Sequence, residues 1–182
     1  MDSVQTIDRT HPLSGRVFAG TGVAITLAPQ TFRMNLRCRP SEVDAVSKSL
    51  GINLPDKINA SNIQGSLTAL CLGPDEWLLL NSKANPADAL AKLDIFHSAV
   101  DITHRNTAIL VSGPMAAELL NSGCPRDLSE RAFPVGSCAR TVFGKAEIVL
   151  YHVKPNVFRI EVWRSFSDYV FTYLEEAAGA LA

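Results

Sequence analysis

The sequence predicts an α+β domain made of two copies of a βαββα unit, each a ferredoxin-like half, related by pseudo-twofold symmetry. Three observations carry this. Stretches with an apolar residue at every second position alternate with stretches of helical spacing, the signature of mixed strands and helices. The punctuation recurs: Pro40 corresponds to Pro114, Pro55 to Pro125 and Pro74 to Pro155, an offset of about 70 to 81 residues. Finally, a chain of 182 residues, 47% hydrophobic, suits one core, whereas each copy alone is too small to bury one.

Residues 1–22, with Pro12, Gly15, Gly20 and Gly22 among polar neighbours, read as an N-terminal arm or loop, and 23–182 as the single domain. Phe32, Met34, Leu36 and Cys38 alternate with Arg33, Asn35, Arg37 and Arg39, which predicts a half-buried strand ended by Pro40. Ser41 and Asp44 have capping-box spacing ahead of a helix whose Val43, Val46 and Leu50 share a face and which Gly51 stops. Leu67–Leu72 and Trp77–Leu80 form a hairpin through Gly73-Pro74-Asp75. Asn85 and Pro86 open a short helix with Leu90 and Leu93 inward, and the chain runs on from Ile95 through Val100 to Asp101.

The second copy begins with a strand over Thr107–Val111, followed by a helix from Pro114 carrying Met115, Leu119 and Leu120 and closed by Gly123. Strands follow at Ser137–Phe143, Glu147–Val153 and Val157–Trp163, the last with Arg159 and Glu161 on a wet face or one covered by another subunit. Ser165 with Asp168 caps a final helix bearing Phe166, Tyr169, Val170, Tyr173 and Leu174.

Charge narrows the function. Seventeen Lys and Arg oppose eighteen Asp and Glu, a net charge of -1, which leaves no surplus to condense on nucleic acid or an anionic membrane. No apolar stretch approaches the roughly 18 residues of a membrane span, and no signal-peptide pattern opens the chain, so a cytoplasmic protein is expected. Cys38, Cys71, Cys124 and Cys138 are scattered without zinc-ligand spacing and read as reduced, buried thiols.

No nucleophile-elbow, zincin, Walker or dinucleotide-binding pattern is present. Asp101 and His104 form a local acid–imidazole pair, a spacing that suits a turn tie better than acid–base chemistry. Asp75-Glu76 beside Trp77 reads either as an acidic tip with an aromatic anchor or as a turn with Trp77 in the core. Arg164, ahead of the last helix, has the position to hold an anion or simply to end a strand in solvent.

The residues Asp101-Ile102-Thr103-His104, Ala108-Ile109-Leu110-Val111, Ser112-Gly113-Pro114, Asp127-Leu128, Pro134 and Gly136 resemble the folate-binding domain of the glycine cleavage T protein family. From about Pro12-Leu13 to the last helix, the chain resembles more closely the gamma subunits of heterotetrameric sarcosine oxidases. That resemblance rests on Leu72-Gly73-Pro74-Asp75-Glu76-Trp77-Leu78-Leu79, Gly123-Cys124-Pro125-Arg126-Asp127-Leu128, Arg131-Ala132-Phe133-Pro134-Val135-Gly136-Ser137-Cys138 and Arg164-Ser165-Phe166-Ser167-Asp168-Tyr169.

The resemblance implies a T-protein-like fold serving as a noncatalytic subunit of a complex that oxidatively demethylates sarcosine to glycine. It implies alpha, beta and delta subunits as partners, with FAD, FMN, NAD and tetrahydrofolate carried by those subunits. Where the T protein keeps an acidic pair, this chain has Gly65-Ser66, so no catalytic, cofactor-binding or metal residue is assigned. Two other readings stay open, a stand-alone folate-dependent aminomethyltransferase and a binding module without chemistry. The candidate partner contacts are Pro12 and Leu13 in the arm and Phe166, Tyr169 and Tyr173 on the last helix, where aromatic side chains offer anchors.

Overall fold

The computed structural model describes residues 11–181. Its strands are β1 (Val17–Gly20), β2 (Val23–Leu27), β3 (Phe32–Cys38), β4 (Ser61–Gln64), β5 (Leu67–Gly73), β6 (Glu76–Asn81), β7 (His97–Asp101), β8 (Asn106–Ser112), β9 (Cys138–Phe143), β10 (Ala146–Lys154) and β11 (Val157–Trp163). Its α-helices are α1 (Val43–Leu50), α2 (Ala87–Leu90), α3 (Ala116–Asn121) and α4 (Ser167–Leu181), with single 3-10 turns leading into α1 at Pro40–Glu42 and α4 at Arg164–Phe166. The strands form two antiparallel sheets, ordered β4-β5-β6-β3-β7 and β1-β2-β8-β11-β10-β9.

The duplication is visible in these orders. β3, α1, β4, β5 and β6 recur as β8, α3, β9, β10 and β11, and both sets fall in the same spatial sequence. The hairpins match in detail: each ladder slips between Cys71 and Gly73 or between His152 and Lys154, just before the Pro74-Asp75 and Pro155-Asn156 turns. Asn156 supplies the positive φ, 59°, that its turn requires.

The repeat is longer than the predicted βαββα by two strands, one ahead of the hairpin, β4 in the first copy and β9 in the second, and a leading strand, β2 in the first copy and β7 in the second. Each leading strand joins the other copy's sheet. β2 pairs with β8 from Ala24↔Ser112 to Leu27↔Ile109, while β7 pairs with β3 from Met34↔Asp101 to Cys38↔His97. The exchange needs close backbone approach. A Cβ at Gly113 would lie 2.3 Å from the carbonyl oxygen of Gly22, at a φ of 119° that also favours glycine.

Helices cover the outer faces. α3 and α4 bury Leu119, Leu120, Val170, Phe171 and Leu174 against the six-stranded sheet, and α1 and α2 bury Val46 and Leu90 on the five-stranded one. A third cluster, Leu70, Leu78, Leu80, Ile102, Cys138 and Tyr151, lies where the sheets face each other. Four such layers need that inner face to be dry or paired.

Three expectations are corrected here. The arm is not all loop: Val17–Gly20 forms the edge strand β1, and Leu13 is fully buried in the core. The Ser41 and Ser165 capping boxes do not form, because the 3-10 turns place Glu42 and Ser167 at the helix starts, with no side-chain cap on α1. Arg33, Arg159 and Glu161 do not face solvent or a second subunit; the partner sheet of the same chain covers them, leaving the Arg33 and Glu161 side chains 7% and 0% exposed.

Candidate functional site

Residues with chemical potential are used structurally. The Asp101 carboxylate accepts the Thr103 backbone N–H at 2.8 Å and the Asn85 amide at 3.0 Å, bonds that tie the turn into β8. Hydrogen bonding from Thr103, first its side chain and then its backbone N–H, holds the Asp101 pKa below the ordinary aspartate value, and Asn85 adds to it. Trp77 is in the core with its Nε1–H donating to Pro55 at 2.9 Å, which settles the hairpin as a turn and not an aromatic tip. Glu76 beside it takes Arg140 at 2.6 Å and Asn35 at 3.1 Å, and the Arg140 bond chiefly lowers its pKa.

His152 is buried between aromatic rings, stacked on Phe158 at 4.2 Å, and its Nδ1 bonds the Phe133 carbonyl at 2.8 Å. A carbonyl only accepts, so Nδ1 carries the proton. The four cysteines are buried and unpaired, with desolvation pushing the Cys138 thiol up to about 12. Among the described residues, no group of three His, Cys, Asp or Glu side chains has a geometry that could hold a metal ion. Gly65-Ser66 forms the two-residue turn between β4 and β5, with Gly65 at a φ of 60°.

The predicted contact residues separate into two groups. Pro12 is exposed, but the Leu13 side chain is a core residue and offers nothing to a partner. The arm is instead secured by the chain's own last helix. Arg16 pairs with Asp168 and Glu175, donates to Thr172 at 3.0 Å and lies 4.5 Å above the Phe171 ring. Tyr173 is half-buried, edge-on to Phe143 at 4.9 Å, and its hydroxyl donates to the Ser122 carbonyl at 3.0 Å. Tyr169 is 38% exposed, and its hydroxyl accepts the Lys145 N–H at 3.1 Å.

Phe166 does present itself, 43% exposed, and beside it stands Trp163, equally exposed, with ring centroids 6.4 Å apart. The Arg105 guanidinium caps Trp163 at 5.1 Å. Trp163 escaped the sequence reading although the signal was there: Phe158, Ile160 and Val162 face the helices, so Trp163 must point to the opposite side. That side is sheltered by the second sheet at Glu161 and open at the strand's end. A second apolar area lies at edge strand β7, where Val100 is exposed and Phe96 is 75% exposed under the Arg39 guanidinium at 5.0 Å. Phe96 follows the core-packed Ile95, and the same parity sends it outward.

The chain's relatives share this architecture. A profile described as "Sarcosine oxidase, gamma subunit family" matches residues 37–180. The sarcosine oxidase subunit gamma of Corynebacterium sp. (strain U-96) is 29% identical over 168 residues, covering 85% of this chain and 79% of that protein. That of Arthrobacter sp. is 30% identical over 129 residues, 64% of this chain and 63% of the relative. Among solved structures, a chain of the heterotetrameric sarcosine oxidase from Corynebacterium sp. U-96 in complex with pyrrole 2-carboxylate superposes with a TM-score of 0.81 at 25% identity, over 90% of this chain and 88% of that one. The glycine cleavage system aminomethyltransferase T of Bartonella henselae gives a TM-score of 0.63 at 12% identity, over 84% of this chain and 45% of that one, a likeness of fold.

Proposed function

From the chain's membership of the sarcosine oxidase gamma subunit family, we propose that it works as the noncatalytic subunit of a heterotetramer whose alpha, beta and delta chains carry FAD, FMN, NAD and tetrahydrofolate and convert sarcosine to glycine. In this reading the chain stabilises the large subunits in the cytoplasm and contacts them through exposed aromatic residues. Among the described residues, no helix is long and apolar enough to cross a membrane.

The observation that carries the reading is the correspondence, over nearly the whole of both chains, with a chain of an assembled heterotetrameric sarcosine oxidase. The packing agrees with it. Trp163 and Phe166 form a paired aromatic surface with a cation at its edge, and Trp and Arg are the residue types over-represented at interface hot spots.

The test is co-expression with the three other subunits. The complex should purify as four chains with flavin absorbance and sarcosine turnover, and this chain alone should be colourless and inactive. Turnover of sarcosine by the isolated chain, or a full-strength active complex formed without it, would reject the proposal.

A further inference from the structure

A cleft of about 350 Å³ opens between the segment after β2, the turn into β8 and the start of the last helical element, lined in part by Thr31, Arg33, Thr103, His104 and Asn106. Behind Arg33 lies an imbalance of charge. Glu161 receives Arg33 Nε on one carboxylate oxygen at 2.5 Å and Arg159 Nε on the other at 2.7 Å, so two guanidiniums share one carboxylate. The Arg33 and Arg159 side chains are only 7% and 12% exposed, and neither has another ion pair among the described residues. One positive charge is therefore left over in a place where an uncompensated charge is costly.

Arg33 is the member of this cluster that lines the cleft. Arg33 Nη1 donates to the Thr31 carbonyl at 2.9 Å, whereas its Nη2 has no hydrogen-bond partner among the described residues. That nitrogen is not among the sealed, unpaired polar atoms of the interior, and Arg33 is one of the residues that line the cleft. Around the mouth, Asn106 uses its carbonyl oxygen to accept Arg105 at 3.2 Å, which leaves its amide N–H groups to donate. His11 registers the same field: burial first, then the charges of Arg164 and Arg33, hold its pKa below the ordinary value. Its Nδ1 accepts the Leu13 N–H at 3.1 Å, so the neutral ring donates from Nε2 to Thr107 at 2.6 Å.

We propose that this cleft is an oxyanion site, in which the free edge of the Arg33 guanidinium and the Asn106 amide hold a carboxylate, sulfate or phosphate group. A planar guanidinium with an unused edge fits paired oxygens, and a charge-assisted bond of this kind is about twice as strong as a neutral one. The site does not depend on the role in a sarcosine oxidase. Its occupant is either a free ion or a carboxylate from a neighbouring subunit, and the chemistry required of the two is the same.

The full-length chain is titrated with inorganic phosphate, sulfate and acetate at constant ionic strength against chloride, with Arg33 side-chain and His11 ring NMR signals as readout. One saturable site is expected. Arg33→Lys, which keeps the charge and loses the fork, should weaken binding by about tenfold. Asn106→Ala, which leaves the buried pair intact, should weaken it by roughly threefold. Repeating the titration in the assembled complex separates the sources: retained binding marks a free ion, and loss of binding with release of the bound ion marks a subunit's carboxylate.

Three results overturn the proposal. The first is no saturable binding by any of the three ions to the folded chain. The second is binding that both variants leave unchanged. The third is binding that appears only in an Asp2→Asn/Asp8→Asn double variant, which would assign the cleft to a carboxylate of the chain's own first residues.

Discussion

Arg33 on β3 and Glu161 on β11 are 128 positions apart in sequence, and their side chains meet at 2.5 Å between the two sheets. The contact joins the first copy of the repeat to the second through a pair almost without solvent. Removing one partner strands the other. Glu161→Gln, which leaves Arg33 and Arg159 facing each other, should cost about 3–5 kcal/mol in urea unfolding, with an unchanged denaturant slope.

The N-terminal segment is integral to the core from Leu13 onward, which changes how a truncation must be designed. Leu13→Ala should destabilise the chain by about 2–5 kcal/mol, and Pro12→Ala should stay within about 0.5 kcal/mol. Deletion through Gly20 removes Leu13, Arg16 and β1 together, and thermal denaturation should show a lowered midpoint whether or not a partner is present. A truncation that ends before His11 leaves all three in place.

Trp163→Ala and Phe166→Ala should leave the isolated chain's stability within about 1 kcal/mol while weakening assembly by at least about tenfold, as truncation of an interface anchor does. Co-purification with the large subunits, measured against the same variants' melting midpoints, checks this. Unimpaired assembly of the double variant would exclude these two side chains as anchors.

Glu76 predicts an acid limb. Its bond to Arg140, helped by Asn35 and the nearby Arg37 charge, lowers its folded pKa, so its stabilisation is present above the ordinary glutamate range near about 4.3 and is lost as pH falls through the lower folded value. Arg140→Ala should begin that loss at higher pH. Urea midpoints taken from pH 6 downward in the two proteins should diverge most at the upper end and converge once Glu76 is protonated in both.

The thiols predict silence. With all four cysteines buried and Cys138 pushed up to about 12, the folded chain should react negligibly with a thiol reagent at pH 8, and unfolding should release all four.

Much of the fold was legible because local pattern and tertiary position agreed. The strand from Phe32 to Cys38 has the predicted ends, and both proline-containing hairpin turns lie where their residues put them. β1 and β2 were missed because glycines flank two short strands whose pairing depends on β8, far along the chain. β4, Ser61–Gln64, is polar and mostly exposed, so no hydrophobic alternation announces it. At the contact surface, aromatic character alone selected Phe166 and Tyr169 but also Tyr173, which packs onto Phe143. The period of two located the Arg159 and Glu161 face without revealing that the same chain supplies its cover, since that depends on how the two sheets stack.

The exchange of β2 and β7 makes each copy the custodian of the other's edge. A chain cut in the loop between α2 and β7 would give two fragments, each missing a strand and each carrying the strand its companion lacks. Neither could close its sheet alone, whereas a mixture could regenerate both by complementation. The intact molecule is thus an intramolecular counterpart of a swapped dimer: during synthesis the five-stranded sheet cannot complete until β7 has emerged from the second copy, and β2 has no place in its sheet until β8 follows.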